Sequence, residues 1–477
     1  MDPSSHSSTP TRAARIAIDL GAESCRVSLL SWQGDTPRIE LIHRLPNGPI
    51  HDGYSLRWPF DRIFAGLEEG LRKAAAAAPE GIASIAVDGW AVDYVRLNAA
   101  GEPLANPFCY RDERTIATKK RADQLISAAD LFRKAGAQPL RINTLYQLLA
   151  DPDPSAPWVN LPEYVLHRLG GRRVAEYTNA THTGLVDIAT GDWSRELLSL
   201  LDIPADALPP IVPTGTVIGQ LIGPLADLSA FRNTQLIVPA CHDTASAIAG
   251  ISTDLDGAAY ICSGTWSLVG TLIHQPITSR EAFEAGFTNQ GAAAGGFCFH
   301  TNVNGMWILK QCLESWKQDG RAWEIPALIA QAENCDSPGS IPVDAPPLML
   351  DGDMPEHLND ELRKIGCAPI DNHAGNEPRF ARLIFESLAS RYKSAIASLE
   401  SILDRPIRRI HILGGGSQNQ LLTRLTAQHT GLPVETGNVE SSTIGNFAIQ
   451  LAVADSPSGK LTPESLRHWA KSLTPNP

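Results

Sequence analysis

The chain carries one local pattern twice: an apolar strand, a short polar turn containing glycine, and a second strand. The copies are IAIDLGAESCRVSLLSW at 16–32 and AAYICSGTWSLVGTLI at 258–273. Backbone amides in such turns can cradle phosphate, so two of them this far apart suggest two lobes sharing a phosphorylated ligand. In the first copy Asp19 ends the apolar strand, where a carboxylate can hold a hydrated magnesium ion facing a nucleotide.

The surrounding segments fit that reading. RIAIDL, RVSLLSW and RIELIHRL follow one another as a meander, with QGDTP as its second turn. FDRIFAGLEEGLRKAAAAA then reads as a helix, and IASIAVDGWAVDYVRLN as a strand and its extension. A three-strand meander followed by alternating helix and strand is the order of a ribonuclease H-like nucleotide-binding domain. The second half repeats it less neatly. Phe380, Ile384, Leu388, Tyr392, Ile396, Leu399 and Leu403 step by three or four, predicting one long amphipathic helix. The strand RIHIL, the turn GGGSQN and the helical QLLTRLTAQHTG come after it. The predicted fold is α/β, two ribonuclease H-like (actin-like ATPase) domains around a central cleft, and 477 residues suffice for both cores. The expected divisions are a disordered tail at 1–14, an N-terminal domain at 15–250, a C-terminal domain at 251–455 and a tail at 456–477.

A formal charge of −12 argues against a nucleic-acid backbone or an anionic membrane as main partner. No apolar run approaches bilayer length, and residues 1–14, rich in Ser, Thr and Pro, lack the apolar core of a secretory signal. Eight scattered cysteines without C-x-x-C spacing read as reduced, mostly buried thiols. The expectation is a cytoplasmic protein, monomer or homodimer.

Commoner signatures are missing. There is no G-x-x-x-x-G-K-[ST], no G-x-S-x-G and no H-E-x-x-H, and GGGSQN departs from G-x-G-x-x-G at its last position. The remaining candidate for chemistry is LIVPACHDTASAIAG at 236–250, an apolar strand running into His242, Asp243 and Thr244 and then a helix of small residues. Asp243 is either a helix N-cap or a carboxylate that accepts the proton of an attacking hydroxyl. His242 beside it suits a sugar hydroxyl. Trp90, in the cluster DGWAVD at 88–93, is either core or the wall for a sugar's carbon face. Arg111, Asp112 and Arg114 read best as a solvated ion-pair run.

Ten segments now point to one family. The chain resembles the FGGY carbohydrate kinases through DLGAESCRV (19–27), VDGWAVD (87–93), YRDERT (110–115), NTLYQL (143–148), EYTNATHTGLVD (176–187), HDTASA (242–247), SGTWSL (263–268), NGMWILKQ (304–311), GGGSQNQLL (414–422) and ESSTIGN (440–446). Within the family it looks most like the members that phosphorylate L-rhamnulose. The resemblance implies ATP and Mg²⁺ as cofactors, a small-molecule ketose as substrate, and transfer to its 1-hydroxyl in L-rhamnose breakdown. It implies Asp243 as proton acceptor, with His242, Thr244, Asn302 and the main chain around Ala91 as sugar contacts. The N-terminal domain would hold sugar and the first phosphate loop, Ala22, Glu23, Ser24, Cys25 and Arg26. The C-terminal domain would hold ATP through Thr265, Lys310 and Gly416, with Asp19 bearing Mg²⁺ through water.

Four positions depart from the pattern of the L-rhamnulose branch: Cys25 and Ala91 stand where it carries Gly, Gly89 where it carries Thr, and Lys310 where it carries Gln. A side chain at 25 requires a loop without positive φ there, and the changes flanking Trp90 reshape the sugar pocket. L-Fuculose, L-ribulose and D-xylulose are therefore the competing substrates. A non-catalytic sugar or nucleotide sensor on the same scaffold is the competing class.

Overall fold

A computed structural model describes residues 12–350, 352–456 and 459–474. Of the expected 1–14 tail, residues 1–11 lie outside the described ones, and Ala14 already opens the first strand. That strand, Ala14–Leu20, is buried along its whole length because it sits inside a sheet. It pairs antiparallel with Ser24–Gln33, which pairs with Thr36–Pro46, completing the meander. On its other side it pairs in parallel with Ile82–Gly89, followed by Gln235–Ile237 and then antiparallel Val217–Gln220. The helix Phe60–Ala77 lays Ile63, Phe64, Leu67 and Leu71 onto this sheet's core.

The second sheet uses the same plan. Its inner strand Ala258–Ser263 pairs antiparallel with Trp266–Ile273 and in parallel with Arg409–Leu413. Phe297–Asn304 and Phe287–Gly291 extend it on one side and Val434–Thr436 on the other. The predicted long helix spans Glu377–Leu403 and buries Phe380, Ile384, Leu388, Tyr392, Ile396 and Leu399 in a core separate from the first. Asp404, in the left-handed conformation, ends it.

A third core joins the lobes. The helix Ser441–Asp455 is buried on nearly every face, because it lies across the first sheet rather than its own. Gln450 Nε2 donates to the Ile16 carbonyl at 3.0 Å, and Ser84 Oγ donates to Gln450 Oε1 at 2.6 Å. Where the sequence reads as a tail, residues Pro463–Leu473 form a helix with a Thr462–Ser465 capping box. Its Leu466, Trp469, Ala470 and Leu473 fill the third core, Trp469 edge-on to Trp32 at 6.4 Å between ring centroids.

The run YRDERT is not a solvated face. Arg114 pairs with the buried Asp151 at 2.6 Å, Asp112 accepts the Leu56 N–H at 2.6 Å, and the Arg111 guanidinium lies 5.0 Å from the centre of the Trp307 ring in the other lobe. All eight cysteines are unbonded. Among the described residues, no helix is long and apolar enough to cross a membrane.

Candidate active site

Open α/β sheets bind ligands beyond the carboxyl ends of their strands, and there the first sheet gathers its acids. Asp19 and Asp88 are partners in the parallel register of their strands. Gly89 N–H donates to the Cys241 carbonyl at 2.9 Å, which brings His242 alongside as a β-bridge and sets Asp243 next. Burial pushes Asp19 up to about 6, against the pull of Arg26 and with a push from Asp243. Burial and the charges of Asp19 and Asp243 drive Asp88 well above the usual carboxylate range, although Asn446 Nδ2 donates to it at 2.6 Å.

Asp243 opens the helix Asp243–Ala249 and is not its N-cap, a position His242 holds without a side-chain bond. Its Oδ1 takes the Thr244 N–H at 2.6 Å and the Thr244 hydroxyl at 3.2 Å, with His242 Nε2 at 3.3 Å. Burial lifts the carboxyl to about 6, so it is ionised at neutral pH, yet 38% of the side chain's surface remains accessible. A half-open carboxylate with one oxygen free of protein donors can take a proton from a hydroxyl. His242, pushed down to about 3 by burial, stays neutral and lies tilted against His182, ring centroids 3.9 Å apart.

The helix behind Asp243 is fixed by close backbone approach. A Cβ on Gly445 would meet the Ser246 carbonyl oxygen at 1.7 Å, and one on Gly250 the Ser441 carbonyl oxygen at 2.6 Å. Helices 243–249 and 441–455 therefore meet backbone to backbone. The same contact brings Ser442 and Glu440 to the first turn: Ser442 Oγ donates to Asp19 Oδ2 at 2.9 Å, while Arg26 pairs with Asp19 and with Glu440, each at 3.0 Å. The ESSTIGN motif is legible in the sequence, but the roles of Glu440, Ser442 and Asn446 are not.

Among the expected phosphate contacts, Ala22 packs partly on the first core and Ser24 Oγ accepts from Arg44. Cys25 is fully buried within its strand and carries no positive φ, so the loop accepts its side chain. Glu23 reaches across the lobes to Lys310, Oε1 to Nζ 2.6 Å. In the second turn the carbonyls of Gly264 and Thr265 cap the helix Trp307–Gln318 that carries Lys310, accepting from Met306 and Trp307 N–H. Gly416 lies so close to Ser263 that a Cβ would sit 2.0 Å from its Oγ. Among the described residues no three His, Cys, Asp or Glu side chains converge as a metal cage. Asp19, beside Asp88 and with its Oδ2 taken by Arg26 and Ser442, has Oδ1 left, a donor set that suits magnesium, which keeps most of its waters and takes one or two carboxylates plus substrate phosphates.

On the expected sugar side, Trp90 is 8% exposed, tilted against Trp58 at 4.4 Å between ring centroids, with its indole N–H on Asp93 at 3.0 Å. Ala91 is nearly as buried, and Val92 follows at φ 70°, strained for a β-branched residue. The NTLYQL motif holds that strain: Thr144 Oγ1 and Gln147 Nε2 donate to the Val92 carbonyl at 2.8 and 3.2 Å. Gly89 is dictated by packing, since a Cβ there would meet Leu20 Cβ at 2.6 Å. Thr244 is buried beside Asp243, whereas Asn302 is exposed on the strand Phe297–Asn304 of the other lobe.

Two lobes of one strand plan, with a glycine turn in each and Asp243 at the carboxyl end of the first sheet, have the actin-like ATPase fold. Models of the FGGY family of carbohydrate kinases match residues 14–250 (N-terminal domain) and 259–454 (C-terminal domain). A rhamnulokinase of Enterobacter sp. (strain 638) is 35% identical over 452 residues, covering 92% of this chain and 89% of that protein. One from Bacteroides thetaiotaomicron is 34% identical over 442 residues, covering 91% and 89%. In fold, a ligand-bound xylulose kinase from Lactobacillus acidophilus matches with TM-score 0.76 at 18% identity, covering 97% of this chain and 96% of that one. Plasmodium falciparum glycerol kinase with ADP matches with TM-score 0.76 at 14% identity, covering 96% and 92%. The chain belongs to the FGGY family of carbohydrate kinases. It is an ATP-dependent sugar kinase.

Proposed function

We propose that this chain transfers the γ-phosphate of ATP to the 1-hydroxyl of L-rhamnulose, giving L-rhamnulose 1-phosphate, in the cytoplasm. The observation that supports the chemistry is the half-open Asp243 carboxylate, its Oδ1 held by Thr244, within electrostatic reach of Asp19 and Arg26 of the first turn. The choice of sugar is supported by the relatives named rhamnulokinase at 34–35% identity.

Asp243 takes the hydroxyl proton as the sugar oxygen attacks in line. Its Oδ1 is occupied by Thr244 and His242, which leaves Oδ2 for the substrate. Arg26, the amides of 22–26, Thr265 and Lys310 face the phosphates, and Gly416, packed against Ser263, stands beside adenosine. Asp19 would hold Mg²⁺ through water, and the ion supplies neutralisation of phosphate charge. Ala91, Trp90, His242, Thr244 and Asn302 orient the sugar. The cross-lobe pairs Lys310–Glu23 and Arg26–Glu440 favour a closed cleft, in which water is a poorer competitor for the phosphoryl group.

The test is ADP release with L-rhamnulose, L-fuculose, L-ribulose and D-xylulose. The expected result is the highest kcat/KM with L-rhamnulose. Preference for another ketose, which Gly89 and Ala91 would explain, assigns the chain to a different substrate within the family. Sugar binding without sugar-dependent ADP release would mark it as a sensor.

A further inference from the structure

The segment carrying Asp243 is held from below by a buried carboxylate outside the sugar and nucleotide contacts. Glu176 is fully buried, 65 residues from Cys241 in the chain. Its Oε2 accepts the Cys241 N–H at 2.9 Å, the Thr178 N–H at 3.0 Å and the Thr178 hydroxyl at 2.5 Å, and its Oε1 accepts the Thr214 hydroxyl. The Thr178 oxygen in turn accepts the His242 N–H at 3.3 Å. Two consecutive amides immediately before Asp243 thus end on one carboxylate and its hydroxyl relay. On the opposite side the Cys241 carbonyl is taken by Gly89 N–H.

A buried carboxyl group needs donors in place of water, and the donors to Glu176 come from three separate segments, at 176–179, 214 and 241. Glu163 sits beneath, accepting the Glu176 N–H at 3.0 Å and the Asn179 amide at 2.9 Å. Burial and the neighbouring Glu176 push Glu163 up to about 8, while burial raises Glu176 against the donors that hold it. A neutral glutamine at 176 offers the Oε2 donors a weaker acceptor than a carboxylate oxygen, and its NH₂ faces the Thr214 hydroxyl, which must turn from donor to acceptor.

We propose that Glu176, with Thr178 as relay, is a positioning residue that sets the reach of Asp243 toward the acceptor hydroxyl. The inference rests on Asp243 acting as the base. A displacement of about 1 Å at a reacting group costs on the order of 10²-fold in rate, so holding two peptide units in place affects the transfer step directly.

The experiment is a double-mutant cycle of Glu176→Gln with Asp243→Asn, read as single-turnover sugar phosphorylation with whichever ketose gives the highest rate, and as ATP affinity by titration. Glu176→Gln alone is expected to lower kcat about ten- to a hundredfold while changing ATP Kd less than about twofold. In the Asp243→Asn background it is expected to cost nothing further, because a residue that acts through the base loses its effect once the base is gone. Equal losses in both backgrounds, or a wild-type kcat for Glu176→Gln, overturn the proposal. Should Glu176→Gln fail to fold, Thr178→Val removes only the relay hydroxyl and runs through the same cycle, with a smaller expected loss and the same criterion. A wild type silent with every ketose overturns the reading of Asp243 and this inference with it, whereas an active wild type with an additive cycle overturns only the inference.

Discussion

Counting back from the glycine of each phosphate turn, Asp19 in the first sheet corresponds to Cys262 in the second. Their parallel neighbours are Asp88 and Leu413. One strand plan thus ends in two carboxylates in one lobe and in a thiol and a leucine in the other. Repulsion explains why both could not carry acids. Two more carboxylates facing Asp19, Asp88 and Asp243 across the cleft would raise pKa values that burial already raises, and would repel a triphosphate. The second lobe carries neutral residues at the matching turn, Gly264 and Thr265, and the carboxylate it does bring to the first turn, Glu440, is paired with Arg26. On the proposed assignment, the duplicated scaffold separates chemistry from nucleotide grip.

If that division is right, removing charge from the first lobe costs rate, and crowding the second costs nucleotide affinity. The largest contrast is expected at the paired strand ends. Asp19→Asn should lower kcat on the order of 10²- to 10³-fold, whereas Cys262→Ser should leave it within about threefold; comparable losses would erase the distinction. Gly416→Ala, forced against Ser263 Oγ, should raise KM for ATP about tenfold with the sugar KM unmoved, since about 1.4 kcal/mol of lost binding is tenfold.

The pH profile sharpens the role of the first lobe. A base must be ionised to act, and Asp243 is raised to about 6 by burial, so kcat/KM for sugar should be flat above neutrality and fall as pH drops below about 6. A profile flat to pH 5 would contradict that assignment. A smaller effect tests the third core: Trp469→Ala should destabilise by about 3 kcal/mol, read as a lower Tm, with kcat unchanged.

The sheets were legible because their strands are local and their turns marked by glycine; the long helix was legible from its stripe. Contacts between distant segments were not. Ser442, Asn446 and Gln450 look like polar interruptions in an apolar helix until the first sheet supplies Asp19, Asp88 and the Ile16 carbonyl as partners. Trp469 reads as a tail residue until Trp32 meets it. YRDERT reads as a surface run because nothing within it announces Asp151 or the Leu56 amide. Asp243 itself could be singled out, but cap and base look alike in sequence. Only the position of its Oδ1 donors and its open side distinguish them.

The most direct test is Asp243→Asn, measured as sugar-dependent ADP release alongside ATP Kd. The account predicts turnover reduced at least about 10³-fold with ATP affinity essentially retained, because the substitution removes the proton acceptor and leaves both phosphate turns in place. Turnover near that of the wild type would contradict it.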